Sequence, residues 1–155
     1  MPEIVCLSPI DGREVARRKT ASADEIRRAI DAARKAQAEW ARVPIADRCA
    51  AMLRFLAEMK AQNADVTKEL ALQMGRPVRY GGEYGSFEGR VLAMVDLAPE
   101  TLAPVVPAAK EGFTRYIRRD PLGLLFSIAP WNYPYLTAVN TVVPGLIAGN
   151  AVILK

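Results

Sequence analysis

Apolar and polar residues alternate in short bursts at the start of the chain and then settle into helical spacing. Glu3 to Leu7 and Glu14 to Arg18 flank Ser8-Pro9-Ile10-Asp11-Gly12, and the Asp-Gly pair marks a hairpin turn. Ser22 followed by Glu25 predicts a capping box. Ile26, Ala29, Ile30, Ala33, Ala36 and Trp40 then recur at the spacing of one helix face, up to the break at Val43-Pro44. A second helix is expected over about residues 46–60, with Cys49, Met52, Leu53, Leu56 and Met59 facing inward. A third is expected over about 64–74, capped by Asn63 and stopped by Gly75 and Pro77. A fourth covers about 83–98, with Tyr84, Phe87, Val91, Met94, Val95 and Ala98 inward and Pro99 as its end.

The texture changes near residue 112. Phe113 to Arg119 alternates crudely between bulky and charged residues, which predicts a half-exposed or edge strand closed by Pro121. Leu122 to Ala129 is an almost unbroken apolar run, as in a parallel strand buried on both faces. Pro130 to Pro134 should turn into a helix over about 135–148, with Leu136, Val139, Val143 and Ile147 inward and Pro144 kinking or dividing it. Gly149-Asn150 should cap that helix, and Ala151 to Lys155 should form a second buried strand. Residues 122–155 therefore predict one β-α-β unit with parallel strands and a right-handed crossover. Two parallel strands are not viable alone, so the sheet is expected to be incomplete. The expected division is 1–112, a hairpin with helices; 113–121, a strand; and 122–155, the β-α-β unit.

Composition narrows the chemistry. The 155 residues are 51% hydrophobic and 25% charged, an ordinary globular balance. There is no histidine, which excludes Ser-His-Asp and Cys-His sites and any imidazole zinc site. Cys6 and Cys49 are far apart and form no CxxC, so no metal site is expected and both read as free thiols of a reducing compartment. Met52, Met59, Met74 and Met94 read as core fillers. The net charge of +4 is spread over short clusters with acidic residues nearby, so nucleic acid is not the expected partner. No secretory leader or membrane-length apolar run is evident, and a cytoplasmic protein is the expectation.

Ligands of open parallel sheets bind beyond the carboxyl ends of the strands. Two segments should occupy that rim: Pro130-Trp131-Asn132-Tyr133-Pro134 and Lys155. On adjacent strands, roughly 4.8 Å apart, they would face one crevice. Asn132 offers an amide donor for an oxyanion, Lys155 a cation for nucleotide hydroxyls or phosphates, and Trp131 a flat apolar wall. The same residues also suit a plainer arrangement, with Asn132 as a helix N-cap and Lys155 as a solvated strand end. No GxGxxG follows the first strand, so the usual dinucleotide fingerprint is missing.

Ile128-Ala129-Pro130-Trp131-Asn132-Tyr133-Pro134, with Ala148-Gly149-Asn150-Ala151-Val152-Ile153-Leu154-Lys155 after it, resembles the NAD(P)-dependent aldehyde dehydrogenase superfamily. The Pro9 to Val15 hairpin is similar to that family's N-terminal region. So are the Ala-rich helix ending at Trp40, the Asp47-Arg48 helix start, the Met74-Gly75-Arg76-Pro77 break and the stretch from Tyr116 to Gly123. The resemblance implies an α/β fold: N-terminal helices plus the first β-α-β unit of a Rossmann-like parallel sheet that lacks the glycine fingerprint. It implies Asn132 as the catalytic oxyanion donor. It implies Ile128, Ala129, Pro130, Trp131 and Lys155 as cofactor-binding positions for NAD or NADP, with Lys155 on the adenosine ribose. It also implies an aldehyde substrate, a homo-oligomer, and residues 113–121 as part of an oligomerisation arm.

The family's nucleophile is a cysteine that forms a thiohemiacetal with the aldehyde, and neither Cys6 nor Cys49 has a matching context. The resemblance puts that cysteine, the Gly-rich phosphate loop and two functional glutamates beyond residue 155. The chain thus reads as an N-terminal part of an aldehyde dehydrogenase, inactive by itself. The alternatives are a non-catalytic truncated product or interaction subunit of a split enzyme, and a basic binding module carrying an accidental turn motif.

Overall fold

The computed structural model describes residues 2–155. Strands β1 (Glu3–Leu7) and β2 (Glu14–Lys19) form the expected antiparallel hairpin, with an irregularity between Cys6 and Leu7. Gly12 supplies the positive φ of its turn, +76°. Helix α1 (Ala23–Trp40) opens with the predicted capping box. The Ser22 side chain accepts from the Glu25 N–H, and the Glu25 carboxylate accepts from the Ser22 N–H at 2.7 Å. Helices α2 (Ile45–Ala61), α3 (Asn63–Met74) and α4 (Tyr84–Thr101) follow, with one 3-10 turn (Val78–Tyr80) between α3 and α4. Strand β3 (Leu124–Ser127), helix α5 (Pro134–Ile147) and strand β4 (Ala151–Leu154) complete the chain.

The core lies where α2, α4 and α5 meet. Cys49, Met52 and Leu56 of α2 pack with Phe87, Val91 and Ala98 of α4 and with Val139, Val143 and Ile147 of α5. Phe55 meets Phe87 edge to face at 5.7 Å between ring centres. Val91 and Val143 are fully buried. These are the stripes expected of α2, α4 and α5, apart from Leu53, which lies outward and is 42% exposed. No residue of α1 is fully buried: Ile30, Ala33 and Trp40 are half-buried and Ile26 is exposed.

Proline does not act as expected in α4. Pro99 lies inside the helix, which continues to Thr101. Proline deprives the carbonyl four residues earlier, that of Val95, of its usual helical donor. That carbonyl instead faces the Cys49 thiol at 4.0 Å, a weak interaction. Pro144 likewise sits inside α5 and does not divide it.

Residues 113–119 do not form the expected strand. Ile117 pairs with Val105 through two backbone hydrogen bonds of 2.8 and 3.0 Å, and Phe113 pairs with Lys110, each as an isolated bridge. A strand needs a neighbour along its length, and single residues are all this segment meets. It is exposed throughout, Phe113 at 63% and Ile117 at 64%.

Strands β3 and β4 pair in parallel, Leu124 with Ala151 through to Ser127 with Leu154. Both are shorter than expected, and neither is buried on both faces: Phe126 is 63% exposed and Leu154 52%. One face is covered by α5, where Gly145 lets the helix approach Leu125 and Val152. The other is only partly screened by α1, because no further helix or strand packs on it among the described residues. Buried Asn150 joins the three elements, accepting from the Gly123 N–H at 2.9 Å and donating to the Gly145 carbonyl at 3.0 Å. Gly149, at φ +92°, ends α5 in a Schellman motif, with Gly149 N–H on the Leu146 carbonyl and Asn150 N–H on that of Gly145.

Candidate functional site

The pairing of β3 and β4 continues past their ends. Lys155 N–H donates to the Ser127 carbonyl at 2.9 Å, and Ala129 N–H donates to the Lys155 carbonyl at 3.2 Å. The last residue of the chain therefore sits beside the residue that opens the Pro130-Trp131-Asn132 corner. Ala129 and Lys155 are joined directly, and Ile128 and Pro130 flank the junction. The rim residues are open: Ile128 is 62% and Trp131 77% exposed, and Pro130, Asn132 and Lys155 are exposed as well.

Asn132 is not the helix N-cap. Tyr133 takes that position and makes no side-chain cap bond, and Pro134 follows as the first helical residue, where a missing N–H costs nothing. The orphan N–H of Leu136 is met from a distance: the Glu83 carboxylate accepts it at 2.6 Å. A carboxylate at a helix N-terminus is favoured by the helix dipole. Glu83 belongs to the turn that opens α4, and its side chain is 2% exposed. Its other oxygen accepts from Arg76 Nη1 at 3.0 Å, and Arg76 Nη2 donates to the Asn132 carbonyl at 2.5 Å. The Arg76 guanidinium also stacks over the Tyr133 ring, 4.4 Å from its centre. Tyr135, next along, is held neutral by burial first and then by the negative charges of Glu69 and Glu83, which push its hydroxyl above its usual range.

The sequence pattern did not single out Arg76 or Glu83 as a pair. One stood in a helix break and the other at a helix start. They are seven residues apart, but Pro77, Gly81 and Gly82 lie between them, so no continuous helix or strand relates the two. Neither cysteine is near this rim: Cys6 lies in the hairpin, its thiol toward the Gln73 carbonyl, and Cys49 lies in the core. Burial pushes the Cys49 thiol above its ordinary range, and the nearby Arg48 charge offsets this only in part. Within residues 128–134 and 155 the one charged side chain is that of Lys155. A groove of about 550 Å³ between α1, Leu146 and Val152 includes the start of β4, away from this rim.

A sequence profile of the Aldehyde dehydrogenase family matches residues 2–155. The chain belongs to the aldehyde dehydrogenase family. Betaine aldehyde dehydrogenase 2 of Rhizobium meliloti (strain 1021) is 32% identical over 162 residues, covering 99% of this chain and 32% of that protein. Among solved structures, the aldehyde dehydrogenase KauB of Pseudomonas aeruginosa superposes with a TM-score of 0.91 at 27% identity, over 99% of this chain and 32% of its own. The P. syringae indole-3-acetaldehyde dehydrogenase AldA, a mutant solved with NAD+ and IAA, superposes with a TM-score of 0.89 at 29% identity, over the same shares. The chain thus spans about a third of the length of these aldehyde dehydrogenases. Its incomplete parallel sheet and exposed Phe126 face agree with the aldehyde-dehydrogenase-like α/β fold. No described helix is long and apolar enough to cross a membrane.

Proposed function

We propose that this chain forms the oxyanion corner and one wall of the cofactor groove of an NAD(P)-dependent aldehyde dehydrogenase. The reaction converts an aldehyde, water and NAD(P)+ into a carboxylic acid, NAD(P)H and a proton. The observation that carries the reading is the hydrogen bond from Ala129 to Lys155, which supports one shared groove for both rim segments. Lys155 brings a cation to the strand ends whose other side carries exposed Trp131, which suits an anionic dinucleotide. Lys155 would hold a ribose of the cofactor, and Ile128, Ala129, Pro130 and Trp131 would line it. The bound cofactor supplies the hydride acceptor.

The Asn132 amide N–H donates to the aldehyde oxygen as negative charge develops on it, and this needs no change of protonation. The attacking thiolate is a cysteine other than Cys6 and Cys49, in a thiohemiacetal route. The largely exposed segment 113–121, its backbone paired only at isolated bridges, is assigned to contacts between copies in a homo-oligomer. Both thiols are free, which accords with a cytoplasmic protein.

The test uses the protein that carries this chain, assayed with betaine aldehyde and a short aliphatic aldehyde. Asn132→Ala should lower kcat by about 100-fold or more with NAD(P)+ affinity kept. Lys155→Ala should weaken NAD(P)+ binding by about tenfold, read by fluorescence titration. A Lys155→Ala protein with unchanged affinity for both cofactors would refute the shared groove.

A further inference from the structure

We propose that Arg76 and Glu83 form a positioning clamp for Asn132. The proposal rests on the oxyanion role given to Asn132 above. The corner carrying Asn132 is exposed and has no cap bond of its own. Between the end of β3 and the first turn of α5, half-buried Arg76 and buried Glu83 fix it. Arg76 takes the Asn132 carbonyl with one nitrogen and Glu83 with another, and its guanidinium plane lies against Tyr133. Glu83 takes the Leu136 N–H with its remaining oxygen. Leu136 is thereby tied directly, and residues 132 and 133 through Arg76, to Glu83 at the start of α4.

The Arg76 and Glu83 side chains are only 11% and 2% exposed. A buried ion pair adds little net stability over an apolar pair of similar volume. Its use here is geometric. A planar fork spans two acceptors at fixed angles, which a lysine ammonium does not reproduce. The main chain of Asn132 is clamped while its side-chain amide stays free for substrate, since every clamp contact to that residue is made through its carbonyl.

The test is a double-mutant cycle on kcat in the protein that carries this chain, with Arg76→Lys, Asn132→Ala and the double variant. Arg76→Lys keeps the charge beside Glu83, and its thermal midpoint is measured alongside. Arg76→Lys alone should lower kcat by about tenfold or more, with KM for the aldehyde little changed. In the Asn132→Ala background the same change should leave kcat within about twofold, because the group it positions is gone. Equal losses in both backgrounds would overturn the clamp.

Amide hydrogen exchange supplies a second readout that does not depend on the role of Asn132. Arg76→Lys should speed exchange at Leu136 by about tenfold while Val91 in the core of α4 keeps its protection. Unchanged exchange at Leu136 would also overturn the clamp. If Asn132→Ala left kcat unaltered while exchange at Leu136 rose, the oxyanion reading would fall and the clamp would stand as a structural one.

Discussion

Gly145→Ala measures how closely α5 rests on the sheet. Two effects oppose each other. Alanine in a helix interior is favoured over glycine by about 1 kcal/mol. Against this, a Cβ at position 145 would lie 2.8 Å from Leu125 Cδ1 and 3.2 Å from Val152 Cγ2. Leu125 Cδ1 is the end of a flexible side chain and swings away at modest cost. Val152 is β-branched on a paired strand and yields less. Overpacking of this kind costs about 1–3 kcal/mol, so the net effect is destabilisation by about 1 kcal/mol.

Urea unfolding of the protein reads this as a lower midpoint at an unchanged slope. The decisive comparison repeats Gly145→Ala in a Leu125→Val background, where the tightest contact is absent. There the cost should shrink, because only the 3.2 Å approach to Val152 is left to oppose the helix preference. Sites without shared contacts add to within about 0.5 kcal/mol. An equal cost in both backgrounds would refute the contact with Leu125, and with it the spacing that aligns α5 on β3 and β4.

The two thiols should differ in reactivity. Under native conditions iodoacetamide should label half-buried Cys6 well before buried Cys49, whose thiol is held protonated by desolvation, as read by mass spectrometry of peptides; preferential labelling of Cys49 would contradict its place in the core. The capping box should give α1 a dependence on acid. The Ser22 N–H and hydroxyl hold the Glu25 carboxyl below its usual range, so its stabilisation is present above the unfolded pKa and is lost as pH falls through the folded one. The stability gap between the protein and Glu25→Gln should therefore shrink below about pH 4, and a gap that stays constant from pH 7 to pH 3 would rule the box out.

The parts of the fold that were legible in the sequence carry their signal within a few residues. Asp11-Gly12 sets a hairpin because glycine accepts a positive φ there. Ser22 and Glu25 set a helix start because their side chains reach backbone donors three residues apart. Leu122 to Lys155 reads as a β-α-β unit because its apolar runs are bounded by proline, glycine and asparagine. The misread parts depend on what lies across the molecule. Phe113 to Arg119 has a strand's alternation but finds only Val105 and Lys110 to pair with. Pro99 lies inside α4, and the Val95 carbonyl it leaves without a helical donor meets the Cys49 thiol of α2 across the core. Leu122 to Ala129 looks buried on both faces, yet α1 covers the second face only in part.

The candidate site divides along the same line. The placing of Asn132 and Lys155 at the strand ends was legible because a strand end and a proline-bounded corner are local features, and the parallel pairing that joins them follows from the strand pattern. The device that holds the corner was not legible. Arg76 and Glu83 meet over a helix break of no regular period, and their target lies more than fifty residues further on. A corner exposed to solvent needs such help more than a buried one does. Burial fixes a side chain through many weak contacts at once, whereas Trp131 and Asn132 have few neighbours to confine them. Two charged groups bonded to backbone and to each other replace that confinement at the cost of their partial desolvation. The rim can therefore stay open to a ligand while its backbone keeps one shape.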